Sequence, residues 1–184
     1  MTSHPDTFDR SMAHWSEAQR AGMDAFYAVA TQDYRELALA RDWRAWLEGR
    51  DRILDVACGS GKFPAALARH AGLDPAREKV LDLLDPSGFS LAEARRNLEA
   101  PFVGGRELEV TLQDLDPEAG PWDAVWATHA LYALPEAELE RGLRRFVDAV
   151  RPGGAGFIAH ARRSSFYLSF YEAYLRARRG GAGT

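Results

Sequence analysis

The sequence is poor in the features that tie a chain to an oxidising compartment, a membrane or a nucleic acid. A single cysteine, Cys58, stands among 184 residues, so no internal disulfide forms and nothing demands an oxidising compartment. No run approaches the roughly 20 apolar residues of a membrane-spanning helix. The first residues, MTSHPDTFDR, carry charges where a secretory signal needs an apolar stretch. Basic groups are outnumbered, 23 Lys and Arg against 27 Asp and Glu, and the formal net charge of -4 speaks against nucleic-acid binding. The five histidines show no metal-ligand spacing such as H-E-x-x-H, so no metal is implied. The expectation is a cytoplasmic protein without a membrane or nucleic-acid partner.

What is present is ordinary for a globular chain: 46% hydrophobic and 27% charged residues, enough for one domain with a sizeable core. Residues 1–47 carry helical signals and few breakers. FYAVATQDYRELALARDWRAWL sets Leu37, Ala40, Trp43 and Leu47 near one face at spacings of three and four. From Asp51 short apolar runs alternate with helical stretches. RILDVA, KVLDLLD, LEVTLQD, WDAVWATHA and GAGFIAHA read as five strands, the last entered through the turn RPGG. SLAEARRNLEA opens with a capping box from Ser90 to Glu93. The helix from about Pro135 to Arg151 places Leu139, Leu143, Phe146, Val147 and Val150 on one side. Strands separated by helices require right-handed crossovers, hence a mostly parallel sheet covered on both faces. The expected organisation is a helical cap over 1–47, an α/β core over 48–176 and a flexible tail over 177–184.

The stretch DVACGSGKFP decides the chemistry. A phosphate-binding G-x-x-x-x-G-K-[ST] loop needs a first Gly where Val56 stands and a hydroxyl where Phe63 stands. A dinucleotide G-x-G-x-x-G places its third Gly where Pro64 stands, and the close helix–strand contact that Gly permits is lost. The elbow G-x-S-x-G of hydrolases would need Gly at Cys58. What remains is acid-x-small-x-Gly-x-Gly after a strand, filled by Asp55, Ala57, Gly59 and Gly61.

With that loop, LLDPS after the second strand, LQDL after the third, PWDAVWATHALYALP around the fourth and VRPGG before the fifth, the chain resembles the class I S-adenosylmethionine-dependent methyltransferases. The family usually has Gly at the position of Ala57. The resemblance implies a Rossmann-like three-layer fold with an N-terminal helical cap and S-adenosyl-L-methionine as cofactor. It places Asp55, Ala57, Gly59 and Gly61 beside the cofactor, Asp85 and Pro86 at the ribose, and Asp114 and Leu115 at the adenine. Thr128 borders the same crevice, and Tyr34, like Tyr27, faces it from the cap. His129, Tyr132 and His160 are the acceptor-side candidates, with His129 as the group that removes a proton. Each has a structural alternative: Asp85 as a turn residue before Pro86, Asp114 as a loop cap, His129 as a local hydrogen-bonding group, the tyrosines as core.

The implied reaction is in-line methyl transfer to a nitrogen or oxygen of a small-molecule acceptor. The family sheet normally gains two further strands after the helix that SSFYLSFYEAYLRAR supplies, with Phe166, Phe170 and Tyr174 on one side. Their apparent lack leaves the fifth strand as an edge, which opens pairing with a second copy of the chain. It also keeps open a non-catalytic or regulatory cofactor-binding protein on the same fold.

Overall fold

The structure, a computed structural model, describes residues 31–160. The helices expected before residue 31, the helix and tail expected after residue 160, and Tyr27, Phe166, Phe170 and Tyr174 lie outside the described residues. Five strands form one sheet: β1 Arg52–Val56, β2 Lys79–Leu84, β3 Phe102–Leu108, β4 Trp122–Thr128 and β5 Val150–Ala159. Their order is β3-β2-β1-β4-β5, and every pairing is parallel. Helix α1, Trp43–Trp46, precedes β1, and the helices between the strands are α2 Lys62–His70, α3 Gly88–Arg96 and α4 Leu139–Ala149.

Side chains alternate across β1 and sort the core into two layers. Ile53 packs with Trp43, Phe63, Leu67, Leu91 and Ala94, under α1, α2 and α3. Leu54 and Val56 pack on the other face with Leu112, Leu115, Phe146 and Ala149, under α4. Each fully buried Leu or Phe contributes about 1.5–3 kcal/mol of transfer free energy. β1 therefore lies at the centre of a sheet covered on both sides, and the loop that follows it opens at the sheet's carboxyl edge.

Several local expectations need correction. The helical pattern ahead of β1 is not continuous: a segment over 31–39 ends, and Asp42 starts α1 by accepting from the Ala45 amide at 3.0 Å. Ala38, not Ala40, is buried. The third strand is not LEVTLQD; it is Phe102–Leu108, and Leu112–Asp114 form a single 3-10 turn. Gly104 and Gly105 lie inside this strand, where side chains from its neighbours fill the space a Cβ would need. A Cβ at Gly104 would overlap the Arg95 guanidinium, and one at Gly105 the Asp82 carboxylate. Ser87, not Ser90, caps α3, accepting from the Ser90 amide at 3.3 Å. RPGG is absorbed into β5 as an irregularity: Trp122 pairs Val150 while Ala124 pairs Ala155. Val147 faces outward at 67% exposure, while Phe146 is buried.

The most heavily bonded acid in the sheet is Asp82. It accepts from the Arg106 amide at 2.6 Å, from Arg106 Nη2 at 2.8 Å and from Trp122 Nε1 at 2.8 Å. Arg106 and Arg52 also lie over the Trp122 ring at 5.4 and 5.5 Å. Burial works to raise the pKa of Asp82, but Arg106 and Trp122 outweigh it and hold the carboxyl below its ordinary value. Asp82→Ala strands the Trp122 N–H and a guanidinium that is still partly hydrated. A loss of about 3 kcal/mol, the low end for breaking a buried pair, is expected in urea unfolding of this variant.

Candidate functional site

The loop after β1 is zipped to the end of β2. Cys58 N donates to Leu84 O at 3.0 Å, and Gly59 N donates to Asp85 Oδ2 at 3.0 Å. The other carboxylate oxygen of Asp85 accepts from Ser87 N at 2.9 Å, as Asp before Pro does in a turn. The turn role and the site position of Asp85 thus coexist: one oxygen shapes its own loop, the other holds the glycine loop. Asn97 Nδ2, at the end of α3, donates to Ser60 O at 2.9 Å. Gly61 has φ 71° and starts α2; a Cβ there would stand 3.1 Å from Ala94 of α3. The loop is held from one side by α3 and the β2 end, which leaves its other side to the crevice.

Two non-glycine residues adopt the left-handed region, Ala57 at φ 52° and His129 at φ 53°. Such a conformation costs an L-residue about 1–2 kcal/mol. For Ala57 this is the position where the family carries Gly, so the loop keeps its shape at some strain. His129 follows β4, donates its amide to Ala159 O at 2.9 Å, and meets Tyr34 edge-on with ring centroids 5.6 Å apart. Burial lowers the His129 imidazole below its ordinary value; Asp33 opposes this and His160 adds to it. His160, just past β5, is exposed and lies against Tyr132, centroids 5.9 Å apart. The structure thus brings Tyr34, His129, Tyr132 and His160 into one cluster of ring contacts and charges at the ends of β4 and β5. Thr128 is buried at the end of β4.

Asp55 is 2% exposed, and its Oδ2 is buried with no hydrogen-bond partner. Burial pushes its carboxyl up to about 8; the Trp126 indole opposes the shift and the Asp85 charge adds to it. Asp85 is raised too, chiefly by burial, with the Ser87 and Gly59 amides pulling it back. Cys58 is a buried thiol pushed up by burial and by the charges of Asp55 and Asp85, which makes it a packed group rather than a nucleophile.

An apolar slot lies beside this loop, bordered by Val56, Ala57, Leu84, Pro86, Leu112, Gln113 and Leu134. Leu115 is not on it: it is 3% exposed, in the core beneath α4. Asp114 is on the outer rim, where its carboxylate takes Thr111 Oγ1 at 2.7 Å and Arg141 at 2.8 Å. Leu112, Gln113, Leu134 and Arg141 were not singled out from sequence, because the segment around Leu112 reads as a strand and Arg141 gives no signal of its own. Among the described residues no group of three or more potential ligands stands ready for a metal ion, and no helix is long and apolar enough to cross a membrane.

A parallel Rossmann-like sheet whose first loop is tied to an acid at the second strand's end is the arrangement expected of the methyltransferase class. A family model described as a methyltransferase domain matches residues 53–154, and the chain belongs to that family, the class I S-adenosylmethionine-dependent methyltransferases. The chain is similar to the biotin biosynthesis bifunctional protein BioCD of Bordetella avium, 30% identical over 158 residues, 86% of this chain and 32% of that protein. It is 32% identical over 145 residues to the ubiquinone biosynthesis O-methyltransferase of Methylocella silvestris, 77% of this chain and 52% of that one. It thus spans about a third of the first of these curated relatives and about half of the second. Among solved structures, the DhpI-SAM-HEP complex aligns at TM-score 0.63 and 25% identity over 94% of this chain and 73% of DhpI.

The acidity of Asp55 carries a stability signature. Its native value of about 8 lies above the ordinary 3.8, so the native state binds the extra proton between those values. Its contribution is fully present below about pH 4 and is lost as pH rises through about 8, by at most about 1.4 kcal/mol per pH unit. Asp85 acts with the same sign. The melting temperature of the ligand-free chain is expected to fall from about pH 5 to 8, and less steeply in Asp55→Asn, as thermal melts in matched buffers will read.

Proposed function

We propose that the chain binds S-adenosyl-L-methionine and transfers its methyl group in line to a nitrogen or oxygen of a small molecule. The observation that carries this reading is the Gly59 N to Asp85 Oδ2 hydrogen bond. It holds the glycine loop against a strand-end carboxylate whose oxygens keep lone pairs for two vicinal hydroxyls. The residues fit the cofactor on one further count: the buried Oδ2 of Asp55 lacks a donor, which an ammonium group supplies.

Asp85 receives the ribose hydroxyls, the slot between Pro86, Leu112 and Leu134 takes the flat adenine face, and Asp114 stands at its rim. When bound, the cofactor supplies a methyl group already activated on a sulfonium. The protein's work is then to position the acceptor, exclude water and accept a proton. Holding two reactants in line is worth up to about 7–11 kcal/mol. His129 is the proton acceptor: burial keeps its imidazole neutral near pH 7, the form that takes a proton from an alcohol, phenol or amine. Tyr34 orients the ring through its edge contact, while Tyr132 and His160 line the acceptor side. The similarity to an O-methyltransferase of ubiquinone biosynthesis supports a small-molecule acceptor.

Titration with S-adenosylhomocysteine, paired with an acceptor screen, tests this. Asp85→Ala is expected to weaken binding by about 1–3 kcal/mol, the loss of hydrogen bonds to a charged group. His129→Asn is expected to keep that affinity and lose turnover by about 10²-fold or more. An Asp85→Ala chain that binds as tightly as the parent contradicts the assignment of the seat.

A further inference from the structure

The two buried acids at the glycine loop are treated differently by the fold. Asp85 has a backbone amide on each oxygen, from Gly59 and from Ser87. Asp55 has none: its buried Oδ2 accepts nothing, and no ion pair reaches it among the described residues. The groups that face it are Trp126, its register neighbour on β4, Asp85 from the loop after β2, and Cys58 from its own loop. The Trp126 indole N–H is itself buried without a completed hydrogen bond. None of these neighbours is a cation. A carboxylate left in such a place without a counter-charge is costly, and a neutral carboxyl is not.

We propose that Asp55 holds a proton in the ligand-free protein and gives it up when a ligand's ammonium group enters, so that cofactor binding releases one proton. The proposal rests on the cofactor reading above. In the step, the O–H bond of the Asp55 carboxyl breaks and its proton passes to a buffer base. The carboxylate formed pairs with the ammonium, and no group is oxidised or reduced. The upward displacement of the Asp55 carboxyl to about 8 agrees with this, as does its opposite treatment from Asp82, which has Arg106 and stays ionised.

Isothermal titration of the full chain near neutral pH, in phosphate and in Tris, counts the protons. The two buffers differ in ionisation enthalpy, so a released proton changes the observed heat. With S-adenosylhomocysteine the heats are expected to correspond to release of close to one proton, fading as the pH is raised above the Asp55 value. With 5′-methylthioadenosine, which has the nucleoside and no amino-acid end, the heat is expected to be independent of buffer. Asp55→Asn is expected to bind S-adenosylhomocysteine more weakly and without proton release; the parent-chain comparison stands even where that variant does not fold. Buffer-independent heat for S-adenosylhomocysteine, or undiminished proton release from folded Asp55→Asn, overturns the proposal and leaves the cofactor reading in place. Failure of both ligands to bind overturns the cofactor reading and the proposal together.

Discussion

A single hydrogen bond, from the Gly59 amide to Asp85 Oδ2, fixes the relation between the two halves of the candidate site. It is possible only because β1 and β2 are adjacent and parallel, so that their carboxyl ends reach the same edge in register, Val56 beside Leu84. The Cys58 amide prolongs that pairing by one more bond, and Asn97 and Ala94 of the α3 region restrain the next residues of the loop. The loop is therefore positioned by the sheet and not by its own flexibility. Ligands of parallel α/β sheets bind beyond the carboxyl ends of the strands, and here β1 and β4 are the neighbours between which the strand order reverses. His129 and Thr128, at the carboxyl end of β4, lie at that same edge of the sheet.

Three acids of the sheet show how environment assigns roles to one residue type. Asp82 is surrounded by Arg106, Arg52 and the Trp122 indole and serves the fold, tying β2 to β3 and β4. Asp85 is satisfied by backbone amides and shapes the loop while keeping acceptor capacity. Asp55 keeps a buried Oδ2 with no hydrogen-bond donor among the described residues, an arrangement that a folding requirement alone does not explain. Asp123, at the start of β4, accepts from the amides of Asp51 and Arg52 and anchors the opposite edge of the sheet, far along the strands from the crevice.

The central strands and their loop were legible from residues alone because β1, β2 and β4 are buried on both faces. Such strands are written as near-continuous apolar runs, and Asp55, Asp85, Gly59 and Gly61 sit at their ends. The edge strand β3 was not legible. Half of its residues face solvent, and its two glycines serve as room for Arg95 and Asp82, which only the tertiary structure reveals. That misreading also displaced the residues expected beside a ligand: the segment taken as strand is a 3-10 turn, so Leu112 borders the slot and Leu115 is core. The hold of Arg141 on Asp114 depends on how α4 packs against that turn, a contact between positions with no pattern in common.

The central claim is that the Asp85 carboxylate and the Gly59–Gly61 loop together form the seat of the cofactor. A crystal structure of the chain with S-adenosylhomocysteine tests it most directly. The account predicts ribose hydroxyls on the Asp85 oxygens, with the Gly59 amide still bonded to that carboxylate and the adenine in the slot beside Pro86 and Leu112. A ligand seated elsewhere, or one that reaches this crevice only with Asp85 swung away from Gly59, contradicts it.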